Sequence, residues 1–221
     1  MKPIVIEAKD KADIDQAIDI LTVSLQDDPS KVYFFPAGMD RSQHTKFMIQ
    51  KIFKISQNAH RLYVCKSGQT VVGASMWFPP GYEMSYFSML KNGLLKLPFI
   101  FGLPVTFRII QSITISDKNK LSITGKMDYW HLFYIGVHPD HQNKGYGAQV
   151  LAPILEESDK SGIPVFLENF TDANTRFYER NGFEVKSYYR FNEDILMRNM
   201  VRQPGAVYKK IPHATKEKNQ R

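Results

Sequence analysis

Residues 129–149 read YWHLFYIGVHPDHQNKGYGAQ, and the rest of the chain is arranged around them. The run Trp130–Val137 is aromatic, apolar and β-prone, which predicts a buried strand. His138, Pro139 and Asp140 end it, because proline has no N–H to give to a sheet ladder. Gln142, Asn143, Lys144, Gly145, Tyr146, Gly147 and Ala148 follow, leading into a segment with helical apolar spacing over 145–160. Strand, tight glycine loop and helix bring free backbone N–H groups together at a helix N-terminus, where they can bind a phosphate. The glycines let the backbone approach a ligand where a Cβ would collide. Lys144 adds a positive charge, so the stretch reads as an anion site suited to a pyrophosphate.

Two familiar phosphate loops are excluded. The dinucleotide fingerprint needs a third glycine where this chain has Val150. A P-loop needs Gly-Lys-Ser/Thr, and here Lys144 precedes Gly145. A G-x-G pair alone is more often a structural turn, so the surroundings carry the weight.

Residues 137–148, VHPDHQNKGYGA, resemble the Q/R-x-x-G-x-G/A motif of the GCN5-related N-acetyltransferases (GNAT). Residues 174–183, NTRFYERNGF, are similar to that family's second landmark, N-x-x-F-Y-x-x-x-G-F. The two in order are far more specific than either alone. Within the family, the likeness is greatest to the branch of puromycin N-acetyltransferase and its relatives. It runs from Trp130 to about Val185, roughly a quarter of the chain, and includes Pro153 and the F-L-E before the second landmark.

The resemblance implies an α/β (α+β) fold with a central mixed, mostly antiparallel sheet of about seven strands flanked by helices. It also implies acetyl-CoA as co-substrate, with no metal. The loop from Gln142 to Ala148 would hold the pyrophosphate. The preceding strand would splay from its neighbour, and backbone groups of Ile135, Gly136 and Val137 would hold the pantetheine arm and thioester. Tyr178 stands where the family commonly places the acid that protonates the departing thiolate. The alternative is a tyrosine packed at the helix–sheet seam. Asn174, one turn earlier, could bond the cofactor arm or cap its helix.

The residues themselves suggest the group that handles an amine. Glu168 follows an apolar strand, at the strand end where α/β sites gather ligands. A carboxylate at an apolar rim has a raised pKa, which suits a base. The plainer alternative is a charge that ends the strand. His131, at a strand start, reads as a structural histidine. Arg176 and Arg180 read as exposed helix charges within reach of nucleotide phosphates.

Earlier in the chain, 3–7 reads as a strand. Asp10 caps a helix whose Ile14, Ala17, Ile18, Leu21 and Leu25 form one buried face. Asp27, Asp28 and Pro29 stop it. An aromatic loop over 32–36 leads to a helix from Asp40 to about residue 57, and it either lines the acceptor site or staples the helices. Strands follow at 62–66 and 70–78 around a turn at 67–69. Cys65 alternates with apolar neighbours and reads as a core residue. Beyond the landmarks, strands are expected at 163–167, 183–191 and 195–202, with Thr171 or Asp172 capping the helix that carries Tyr178.

Residues 82–127 form an insert between the third and fourth strands, read as amphipathic helices over the substrate face. Within 94–110 only about ten residues run uncharged, short of the roughly 20 that span a bilayer. Contact of this stretch with a membrane surface is the minority reading. The insert is longer than in the puromycin-type relatives, which argues against puromycin as substrate.

With 221 residues, 43% of them hydrophobic, the chain has enough material for one core. The expected division is one domain over 1–202 and a basic, flexible tail over 203–221. Arg202, Lys209, Lys210, Lys216, Lys218 and Arg221 stand against the single acid Glu217, so most of the +7 net charge lies at that end. No aromatic platform accompanies it, and nucleic-acid binding is not expected. A single cysteine and no signal-like start suggest a cytoplasmic protein.

The leading function is acetyl-CoA-dependent acetylation of a small amine by direct attack in a ternary complex. The alternatives are a protein lysine or N-terminus as acceptor, or an acyl-CoA-binding regulator without turnover.

Overall fold

Near-continuous apolar runs in the central strands dictate a sheet covered on both faces, and the chain folds that way. The structure is a computed structural model that describes residues 3–56, 59–83, 94–125 and 127–206. Among these, seven strands form one sheet in the order β1-β2-β3-β4-β5-β7-β6. They are β1 (Ile4–Glu7), β2 (Arg61–Ser67), β3 (Thr70–Phe78), β4 (Trp130–Val137), β5 (Val165–Asn169), β6 (Glu184–Arg190) and β7 (Leu196–Arg202). β4 and β5 pair in parallel; the other neighbouring pairs are antiparallel. This is the mixed, mostly antiparallel sheet that the sequence implied.

Successive residues of β3 show how the two layers arise. Met76 and Phe78 belong to a cluster with Ala17, Ile18, Leu21 and Ile49. Trp77, between them, joins Leu151, Ile154 and Leu155 on the opposite face. The first face is covered by α1 (Lys11–Leu25) and α3 (Arg41–Ile55), the second by α6 (Tyr146–Ser161). Asp10 and Asp40 cap α1 and α3, accepting from Asp13 N at 2.8 Å and Gln43 N at 2.9 Å. Thr171 caps α7 (Asp172–Arg180), accepting from Asn174 N at 3.1 Å. Cys65 is fully buried, as expected of a core thiol, and burial raises its pKa.

The aromatic loop expected over 32–36 is replaced in part by a helix, α2 (Pro29–Phe34). Asp28 and Pro29, read as a stop for α1, also start the next helix. The Asp28 carboxylate accepts from Ser30 N at 2.9 Å, and Pro29 needs no hydrogen bond at the first helical position. β5 also runs past its expected end, and Glu168 lies within the ladder, opposite Asn199.

In the insert, a short 3-10 turn (Leu94–Lys96) leads into α4 (Leu97–Phe101) and α5 (Leu103–Thr124). Gly102 joins them with a left-handed φ of 80°. Val105 and Ile109 pack on Phe35 and Phe101, while Phe107 and Ile110 face outward. No helix among the described residues is long and apolar enough to cross a membrane. Residues 84–93 and 126 of the expected insert, and 207–221 of the expected tail, lie outside the described residues.

Candidate active site

The site begins where β4 and β5 part. They pair only at Trp130/Val165, His131/Phe166 and Leu132/Leu167. β4 continues to Val137, whereas β5 turns to β7 alone. Phe133 is an extra residue on β4, because Met76 pairs with Tyr134 and Trp77 with Leu132. Such a bulge bends the strand and opens the fork.

His138 N donates to Val72 O at 2.9 Å, so by alternation Gly136 also gives its peptide groups to β3. Ile135 and Val137 turn theirs to the open side. The Val137 carbonyl there accepts from Ser24 Oγ at 3.0 Å and Gln142 Nε2 at 3.2 Å. Gly136 has a different reason to be glycine: a Cβ there would lie 2.7 Å from Ser24 Oγ on α1.

The glycine loop leads from the fork to α6. A 3-10 turn (Pro139–His141) is followed by Asn143 at φ 60° and Gly145 at φ 83°, both left-handed. No side chain caps α6. The N–H groups of Tyr146, Gly147 and Ala148 in its first turn are thus unclaimed by a cap, as an anion requires. Lys144 is exposed, and its Nζ donates to the Asp140 carbonyl at 2.8 Å. The two glycines serve different needs. A Cβ at Gly145 would meet nothing, so its φ is the constraint, whereas one at Gly147 would lie 3.2 Å from the Phe177 ring.

Tyr178 is buried on the α6 face in the cluster holding Leu132 and Leu167, where the two strands last pair. Its ring meets Phe177 at 5.1 Å and Phe183 at 5.6 Å. Among the described residues its hydroxyl has no hydrogen-bond partner. Burial, then the charge of Asp28, pushes the phenol well above its ordinary pKa, so it is a proton donor at neutral pH. Asn174 is exposed at the start of α7, where its backbone is capped rather than its side chain capping. Arg176 and Arg180 are also exposed.

On the other face of the fork, α5 roofs a cavity of about 970 Å³. His131 and Glu168 lie in its wall, with His131 Nε2 3.0 Å from Glu168 Oε2. Ser116 Oγ of α5 donates to the other carboxylate oxygen, Oε1. Burial would raise the Glu168 pKa, but the hydrogen bond and charge of His131, the Ser116 hydroxyl and Lys120 outweigh it and hold it below the ordinary value. This reverses the raised pKa expected for Glu168 at an apolar rim. The sequence did not show that the carboxylate would be matched by donors from β4 and α5. An ionised carboxylate only accepts, so His131 Nε2 is the donor in this bond, and in the neutral form of the imidazole the lone pair falls on Nδ1. Among the described residues Nδ1 has no partner.

Ser112, Ser116 and Lys120 all line the cavity. They recur every four residues along α5, a helical polar stripe that was visible in the sequence but not read. Lys31 of α2, also in the wall, is buried and was missed just ahead of the aromatic run over 32–36.

The acetyltransferase (GNAT) domain profile matches residues 109–185. An uncharacterized N-acetyltransferase of Schizosaccharomyces pombe is 30% identical over 208 residues, spanning 90% of this chain and 82% of the relative. The fold is similar to a crystal structure of histone acetyltransferase HPA2 and related acetyltransferase from Corynebacterium glutamicum. That match has a TM-score of 0.63 at 17% identity and covers 96% of this chain and 100% of the other. It is also similar to the Drosophila melanogaster polyamine N-acetyltransferase, with a TM-score of 0.62 at 12% identity, covering 91% and 100%. With the glycine loop, the forked strands and the second landmark in place, the chain belongs to the GNAT superfamily of acetyl-CoA-using enzymes and is an acyltransferase.

Proposed function

We propose that the protein acetylates the primary amine of a small molecule by direct transfer from acetyl-CoA in a ternary complex. The observation that carries this reading is the cavity of about 970 Å³ under α5, at the upper end of the size usual for small ligands. Its wall holds a histidine poised as a base where β4 and β5 separate. Residues 1–202 act as one acetyltransferase unit in this reading, with α4 and α5 as its insert.

The parts fit the co-substrate. The uncapped first turn of α6 and the loop Gln142–Ala148 suit a pyrophosphate. The open peptide groups of Ile135 and the N–H of Val137 suit an amide-bearing arm, and Asn174 is free at the surface to join it. His131 Nδ1 takes a proton from the amine as its nitrogen attacks the thioester carbon. Glu168 does not touch the amine; it orients the imidazole and stabilises its cationic form. Tyr178 gives its proton to the sulfur as the C–S bond breaks, leaving amide and free thiol.

The test is thiol release from acetyl-CoA with a panel of small primary amines, beside lysine-bearing and free-N-terminus peptides. Release with a small amine is expected. Turnover confined to peptides, or tight acetyl-CoA binding with no release on any acceptor, would overturn the reading.

A further inference from the structure

Lys31 has no part in the chemistry above, yet it lies in the same cavity wall as His131 and Glu168. The residue is only 7% exposed. Its Nζ donates to Ser30 Oγ at 3.2 Å and stands 5.5 Å from the centre of the Phe34 ring and 5.8 Å from that of Tyr134. The Ser30 hydroxyl is itself committed to Asp28 Oδ1 at 2.5 Å, so Asp28 reaches the lysine only through it. Among the described residues no carboxylate lies within ion-pair distance of Nζ. Lys120, the other lysine in this wall, differs: it pairs with Asp117 at 2.9 Å.

A buried ammonium without a counter-charge is costly, and lysines are seldom buried unpaired. Burial lowers the Lys31 pKa and the charge of Asp28 only opposes this. An ammonium has three donors, of which Ser30 takes one. The missing partner is an anion with acceptor oxygens, and the cavity is where it can enter.

We propose that Lys31 binds an anionic group on the acceptor, which makes the substrate a primary amine carrying a carboxylate several bonds from its nitrogen. The inference rests on the proposed acetyl transfer and names its substrate class. Tyr134, beneath Lys31, is three residues from His131, but the bulge at Phe133 shortens that span to the two β3 positions from Phe78 to Met76, about 7 Å. An amine at His131 and an anion at Lys31 are thus too far apart for an α-amino acid. Between them the wall is apolar, with Phe133 ringed by Phe78 at 4.9 Å, Tyr134 at 4.7 Å and His131 at 5.6 Å. A hydrocarbon or aromatic spacer suits that stretch. Glu83 and Asp128 line the cavity but are exposed, placed to attract the ammonium rather than to neutralise Lys31.

The experiment compares two matched pairs, 4-(aminomethyl)benzoate with benzylamine and 6-aminohexanoate with hexylamine. Thiol release is measured for wild type, Lys31→Met and Lys31→Arg. At least one carboxylate-bearing member should exceed its partner about tenfold or more in kcat/KM. Lys31→Met should erase that preference mainly through KM, Lys31→Arg should keep part of it, and acetyl-CoA affinity by calorimetry should be unchanged in both. Three results would overturn the assignment: equal use of both members by wild type, an equal kcat loss on both in Lys31→Met, or mass-spectrometric acetylation of Lys31 itself. If no member is acetylated, the acetyl-transfer reading fails for these amines, and calorimetry of the same pairs on the CoA-loaded protein decides about Lys31. There, carboxylate-selective binding lost in Lys31→Met supports it, and binding that is absent or unselective overturns it.

Discussion

At Tyr178 a buried ring carries a hydroxyl with no hydrogen-bond partner among the described residues, beside the point where β4 and β5 part. Tyr178→Phe keeps the ring contacts with Phe177 and Phe183 and removes only the proton donor. If that proton reaches the thiolate, kcat should fall by roughly 10²–10⁴. Acetyl-CoA affinity should shift by less than about 1 kcal/mol. Steady-state rates, on a substrate whose chemical step is shown to limit turnover, decide between this and a packing role, which predicts normal kcat. Glu168 makes a separate demand. Because it acts through His131, Glu168→Gln should lower kcat by about 10²–10⁴ while leaving acetyl-CoA affinity unchanged; unchanged kcat would make the pair structural. Tyr178 was legible because its landmark is local. The setting of Glu168 was not, since Ser116, which donates to it, is 52 residues away in sequence. The partner of His131 was hidden for the same reason: only the fold brings its imidazole to a carboxylate.

The glycine loop and α6 are the element in which sequence and structure agree on position and each gives its own cause. Both glycines were read as leaving room for a ligand. The structure adds a requirement of its own at each: at Gly145 the φ of 83°, at Gly147 the ring of Phe177 on α7. Gly145→Ala should therefore cost about 1–2 kcal/mol in strain, whatever residue 177 is. Gly147→Val should cost about 1–3 kcal/mol by overpacking, and Phe177→Leu should recover part of that loss. Chemical denaturation of the single and double variants measures this, and additive losses at 147 and 177 would contradict the packing cause. Both variants should also weaken acetyl-CoA binding, since each disturbs the first turn of α6. The helix caps at Asp10, Asp40 and Thr171 were readable because capping is local chemistry. α2 was not, because Asp28-Pro29 can end one helix or begin another, and tertiary packing on α5 decides which.

Across the whole molecule, the two-layer sheet followed from the strand patterns and the two landmarks. What the pattern did not hold was the closure of the end of β7 on α6. Arg202, the last residue of β7, is buried and forks onto Asp159 at 2.7 and 2.9 Å, while Gly205 N donates to the same carboxylate at 2.7 Å. The Arg202 hydrogen bonds, with that of Gly205, hold Asp159 below its ordinary pKa despite some burial. A depressed folded-state pKa gives stability that is present above the unfolded value of about 3.9 and lost as pH falls through the folded one. Asp159→Asn should therefore lower the unfolding free energy at pH 7, and the gap to wild type should shrink as pH falls below the unfolded value and close once it is below the folded one. A gap independent of pH would show that the carboxylate charge contributes nothing. The claim on which the functional reading depends is that acetyl moves straight from the thioester to an amine activated by His131. It is tested most directly by following labelled acetyl in a single turnover with wild type and His131→Gln, using an amine found by thiol release. The predicted result is label passing to the amine with none retained on protein, slowed by about 10²–10⁴ in the variant while acetyl-CoA still binds. Label accumulating on the protein before the amine is added, or an unchanged rate in His131→Gln, would contradict it.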